Sequence, residues 1–193
     1  MMLPPASPWY ECLLDFLAGL LTRRQLGQAG AAPDMPSVAV AIPLPAFSAP
    51  VGPPVGLQES RDLAHCHPEL TRRYLALKAD FERETGRQLF ETSTWRSQAR
   101  QQELYQIGRR GIPGEKSVTK LDGVTKRSRH MVFPSEAVDC CVDSDPGPGK
   151  HPIWDEAAYA PLAPLALRHG LEWGGAWARL PDPPHLQLPA EAA

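Results

Sequence analysis

Three side chains far apart in the chain are of the types that hold a divalent cation: His130, Asp139 and His185. Two imidazoles and one carboxylate are the ligand set of an open zinc site, which keeps its fourth position for water or substrate. Asp182 stands three residues before His185, so it can sit beside such an ion without binding it. A carboxylate in that place suits a general base acting on a water of lowered pKa. The competing reading of Asp182 is a residue that opens a turn, ahead of Pro183 and Pro184.

These groups need elements to position them. Ala137 to Val142 is a short apolar run that reads as a strand. Alternation places Ala137, Asp139 and Cys141 on one face and Val138, Cys140 and Val142 on the other. Asp139 is the charged group in a segment that otherwise favours burial. Metal coordination resolves the cost of burying it, and so does a buried ion pair. Cys141 shares its face and could close a four-ligand structural site, although residues two apart on a strand diverge. A last strand runs from His185 to Leu188, with the prolines before it stiffening the approach.

Upstream, Leu70, Tyr74, Leu77 and Phe81 recur at helical spacing, and Gly86 is the expected stop. Gln88 to Trp95 alternates and is rich in Thr and aromatics, which predicts a strand. Ser97 then caps a helix over Gln98 to Arg109. Arg96 therefore stands at a strand-to-helix corner, where a side chain can be aimed into a cleft; a surface salt bridge is the alternative. Pro161 and Pro164 fit the first turn of another helix, continued by Leu165 to His169 and stopped by Gly170. Leu171 to Trp173 reads as a strand leading into a Gly174-Gly175 turn, and Trp173 and Trp177 are expected to wall the cleft. His65 and His67 flank Cys66 with no carboxylate cluster near, so a capped, solvated loop is expected rather than a second metal site.

The totals bound the rest. A chain of 193 residues with 42% hydrophobic content accommodates one domain with an appendage. Its four cysteines include no C-x-x-C pair, which excludes a zinc ribbon and gives no disulfide framework. No apolar run is long enough to span a membrane, and the N-terminus lacks the basic start of a secretory signal. Residues 1–26 read as a short amphipathic helix, whose stretch 8–24 is a candidate peripheral membrane or partner contact. Residues 27–58 read as a Pro/Ala-rich linker, 59–189 as the globular domain and 190–193 as a tail. The loop from Gly111 to Arg129 is basic, but it has no aromatic interleaving and the net charge is -2. It reads as a solvated rim that steers an anionic ligand, with no nucleic-acid partner expected.

Val118 to Val142, with Ser128-Arg129-His130 and Ala137-Val138-Asp139, resembles the zinc D-alanyl-D-alanine carboxypeptidase and L-alanyl-D-glutamate endopeptidase family, especially its phage endolysin branch. Gly170 to Leu188, with Trp173-Gly174-Gly175 and Asp182-Pro183-Pro184-His185, carries the same resemblance. It covers Glu69 to Pro189, and five elements agree in order: Arg, Ser-x-His, Ala-x-Asp, Trp-Gly-Gly and Asp-x-x-His. The resemblance implies an α+β fold of the hedgehog type, with a small antiparallel sheet flanked by helices. It implies Zn2+ on His130, Asp139 and His185, Asp182 as base, Arg96 on the substrate carbonyl oxygen, and Ser128 contacting substrate or loop backbone. It implies hydrolysis of peptidoglycan stem peptide at an L-Ala–D-Glu or D-Ala–D-Ala bond. Two features depart from the pattern: a long gap between His130 and Asp139, and Ala176 where the family usually has Asp. A monomer made in the cytoplasm and acting at the cell wall, as in a phage or prophage, is expected. The alternative of another class is a non-catalytic, zinc-stabilised module that binds cell wall.

Overall fold

The computed structural model describes residues 52–145, 147 and 149–190. The expected N-terminal helix at 1–26 and nearly all of the linker lie outside the described residues, as does most of the tail. Among the described residues no helix is long and apolar enough to cross a membrane.

The architecture is α+β, with a small antiparallel sheet and a few helices, as expected. Helix α1 spans Pro68–Thr85, with Leu70, Tyr74, Leu77 and Phe81 buried along one face. His67 caps its start by accepting from the Glu69 N–H, and Pro68 occupies the first turn, where a missing N–H costs least. Gly86 ends it at φ 69, a left-handed conformation that glycine adopts without a Cβ penalty. Strand β1, Gln88–Ser93, stops short of the expected Trp95. The backbones of Thr94 and Trp95 pair instead with Ser60, and the Thr94 carbonyl accepts from the side chains of His130 and Ser135. Helix α2, Gln98–Gln106, is capped by Ser97 as expected. It ends before Arg109 because Ile107 is extended and Gly108 turns to φ 77.

The remaining strands are β2 at Ala137–Asp143, β3 at Pro152–Ile153, β4 at Glu172–Trp173 and β5 at His185–Gln187. The sheet runs β1-β2-β5-β4, with β3 also paired to β2, and every pair is antiparallel. Two short helices lie between β3 and β4: α3 at Glu156–Tyr159, capped by Asp155, and α4 at Leu162–Arg168. His169 closes α4, where its Nε2 stands 3.0 Å from Asp80 on α1.

The core lies on one face of β2. Val138, Cys140 and Val142 join Leu89, Leu186 and Leu188 from the sheet, and Leu70, Tyr74, Leu77, Leu162 and Leu165 from the helices. Full burial of each large apolar side chain stabilises the fold by roughly 1.5–3 kcal/mol. With Val138 and Cys140 committed to that core, alternation turns Asp139 to the opposite face. Cys66, Cys140 and Cys141 are buried free thiols. Burial pushes the Cys66 thiol up to about 12, with Asp62 adding to it, so this thiol stays protonated and inert. His65 and His67 are local structure: His65 Nδ1 lies 2.7 Å from Ser60 Oγ, and His67 is the helix cap.

Candidate metal centre

Sheet register brings two of the three candidate ligands together. Asp139 on β2 is the direct partner of His185 on β5. His130 arrives from outside the sheet, on a 3-10 turn over Arg129–Met131. Ser128 caps this turn by accepting from the His130 N–H, so its hydroxyl contacts loop backbone while it also lines the cleft.

Three atoms converge. His130 Nε2 is 3.1 Å from Asp139 Oδ1 and 3.3 Å from His185 Nδ1, and His185 Nδ1 is 2.9 Å from Asp139 Oδ1. Ligands at about 2.0–2.1 Å in a tetrahedron stand roughly 3.3 Å apart, close to this triangle.

The outer nitrogens decide what the inner ones can do. His130 Nδ1 lies 2.5 Å from the Thr94 carbonyl, which only accepts, so the ring proton is on Nδ1 and Nε2 presents a lone pair. His185 Nε2 lies 3.0 Å from Gln187 Oε1. The Gln187 amide is oriented by its own Nε2, which donates to Glu172 Oε2 at 2.6 Å. His185 therefore donates from Nε2 and turns the lone pair of Nδ1 inward. Two nitrogen lone pairs and a carboxylate oxygen then face one another, a set that calls for a cation or a proton between them. His130, Asp139 and His185 are the group among the described residues that could hold a metal ion, and the donor set fits zinc.

The electrostatics agree. Burial drives the His130 imidazolium down in pKa, against the pull of Asp139. Burial opposes ionisation of Asp139, but the adjacent His130 and His185 outweigh it and hold the carboxyl well below the usual range. His185 is raised despite burial, because the Asp139 carboxylate stands against it.

Asp182 also lines the cleft. Burial pushes its carboxyl up to about 6, and the neighbouring Asp139 carboxylate pushes the same way. Its place depends on Gly174. The Asp182 N–H donates to the Gly174 carbonyl, and a Cβ on Gly174 would stand 2.6 Å from the Asp182 carbonyl oxygen and 2.9 Å from His185 Cβ. Only a residue without a side chain permits that approach.

Arg96 reaches the same cavity, with Nη2 donating to Asp139 Oδ2 at 2.6 Å. Nε donates to Glu59 at 3.2 Å, Nη1 to Gln101 at 3.3 Å, and Ser93 Oγ accepts from Nη2 at 3.0 Å. Of the five guanidinium N–H groups, one on Nη1 is left over among the described residues. The corner position thus carries a partly buried ion pair to the inner shell of the centre rather than a surface salt bridge. Cys141 is not part of the group. Its sulfur lies beside Tyr159 and Ile153, as divergence of alternate residues dictates.

The two tryptophans part company. Trp177 lines the cleft, with its ring centroid 4.9 Å from that of His185. Trp173 does not line it, which corrects the expected pair of cleft walls. It packs against the core, and its indole N–H donates to the Pro183 carbonyl at 2.7 Å. It braces the turn that carries Asp182 and His185. Gln187 and Glu59 went unread in the sequence. Strand alternation from His185 points to Gln187, two residues on, whereas nothing in the sequence marks Glu59. The cleft as a whole has a volume of about 720 Å³, in the range that holds small ligands.

Residues 122–188 match the model of a family described as D-alanyl-D-alanine carboxypeptidase. That segment holds His130, Asp139, Asp182 and His185 but not Arg96. Among solved structures, the L-Ala D-Glu endopeptidase ChiX of Serratia marcescens is similar at 29% identity. The match covers 67% of this chain and 85% of that one, with a TM-score of 0.49. No curated protein matches the chain.

Proposed function

We propose that this chain, which matches the D-alanyl-D-alanine carboxypeptidase family over residues 122–188, is a zinc-dependent peptidase acting on peptidoglycan stem peptides. The bond cut is L-Ala–D-Glu or D-Ala–D-Ala, and the enzyme acts at the cell wall. The observation that carries this reading is the convergence of two imidazole lone pairs and a carboxylate oxygen within 3.3 Å of one another, with both outer ring nitrogens committed elsewhere.

His130, Asp139 and His185 hold the ion. When bound, zinc polarises the scissile carbonyl and lowers the pKa of a water. The protein's own groups supply the rest. Asp182, with its pKa lifted toward 6, accepts a proton at its carboxylate near neutral pH and returns it to the leaving amine. Arg96 holds Asp139 through Oδ2, which leaves Oδ1 facing the two rings. Its remaining Nη1 proton is available to the substrate carbonyl oxygen. Trp177 packs at a tilt against His185 and offers an apolar wall to the peptide. Ser128, at the cleft margin, fixes the turn that presents His130.

The test is digestion of defined muropeptides by zinc-loaded protein, with products read by mass spectrometry. A new terminus at one of the two bonds, absent with chelator, is expected. Intact muropeptides with retained binding to sacculi would instead favour a non-catalytic wall-binding module.

A further inference from the structure

Beyond the metal-binding residues, the cleft is lined by two chain segments, 118–121 and 178–180. They meet where Lys120 Nζ donates to the backbone carbonyl of Arg179 at 3.2 Å. That bond ties the lysine to the backbone of the residue that carries the second cation, and both residues line the cleft. Among the described residues, the acidic groups that line the cleft are Asp139 and Asp182. Neither Lys120 nor Arg179 has a carboxylate partner among the described residues, whereas Arg100, Arg110 and Arg129 each do. Beside them lie Val118 and Leu180, which give an apolar bed next to a positive rim.

We propose that Lys120 and Arg179 form a carboxylate-recognition subsite of the cleft, and that the substrate is an anionic peptide gripped there while its scissile bond lies over the metal centre. This rests on the peptidase reading above. The lysine brings a point charge and the arginine a planar fork, and a carboxylate accepts from both. Two carboxylates of a stem peptide have the right chemistry: that of an internal D-glutamate and that of the peptide C-terminus. Grip on the first makes the enzyme an endopeptidase and grip on the second a carboxypeptidase.

The experiment uses labelled stem peptides in two matched pairs, internal D-glutamate against D-isoglutamine, and C-terminal carboxylate against carboxamide. Binding is read by fluorescence anisotropy on the zinc-loaded D182N protein, and kcat and KM are read on zinc-loaded protein with native Asp182. A charge-assisted hydrogen bond predicts that one acid is favoured over its amide by roughly 10- to 100-fold, mainly in KM. The pair that shows the preference identifies the carboxylate. In K120M/R179M the acid-to-amide ratio falls to about one, and in K120R/R179K it is retained. Both sites are exposed, so folding is checked by an unchanged thermal melt. A preference that survives K120M/R179M overturns the subsite, as does an equal loss for acid and amide, or no binding of any peptide. Cleavage without an acid preference overturns the subsite and leaves the peptidase standing. An acid preference in binding with no cleavage does the reverse.

Discussion

Replacing Asp182 with Asn separates the cost of this carboxylate from its use. Among the described residues its carboxyl has no hydrogen-bond partner that would offset burial, and its pKa rises from 3.8 to about 6. A carboxyl whose folded pKa exceeds its unfolded value leaves the fold unpenalised at pH below both. Stability is then lost as pH climbs through the interval and is fully lost above the folded value. With these two values the loss is about 0.5 kcal/mol at pH 4 and about 3 kcal/mol at pH 8, upper limits because the side chain keeps some solvent. Asn carries no charge at any pH. Urea unfolding of metal-free protein, held in chelator, should therefore show D182N more stable than native protein at pH 8, by on the order of 1 M in midpoint. The two midpoints should nearly coincide at pH 4. Loaded with zinc, the same variant should keep its metal and lose roughly 100- to 10,000-fold in kcat. Equal midpoints at both pH values would mean that Asp182 is neither desolvated nor facing Asp139. The physical basis for choosing it as the base would then be gone.

Three other perturbations probe the supports. Gly174→Ala must push the Asp182–His185 turn aside by several tenths of an ångström; kcat/KM on muropeptide should fall about 100-fold, with a loss of roughly 1–3 kcal/mol on unfolding. Gln187→Leu removes the acceptor that sets the His185 tautomer, so zinc affinity measured by competition with a chromogenic chelator should drop about 10- to 100-fold. Arg96→Met strips Asp139 and Glu59 of a shared cation; denaturant unfolding of the metal-free protein should show a loss of about 3–5 kcal/mol, and zinc should recover part of it.

The sequence carried a good deal of this without help. Helical spacing from Leu70 to Phe81 with Gly86 beyond it, the cap at Ser97, and alternation across Val138, Asp139 and Cys140 are local facts. Side-chain period and backbone preference act over a few residues, so these facts are written in order along the chain. The types and order of His130, Asp139, Asp182 and His185 were legible for the same reason, as chemistry carried by residue identity. Distances between segments are not local. That Asp139 faces His185 is a matter of strand register, and that His130 gives its Nδ1 proton to Thr94 depends on where one carbonyl points. Trp173 was read as a cleft wall because its type suits one, yet packing drew its ring to the core and its N–H to Pro183. The pairings of Arg96 with Asp139 and of Lys120 with the Arg179 backbone join positions far apart in sequence. Only the folded sheet and its loops set those separations, because residue type states what a group can bind while tertiary packing alone states what it meets.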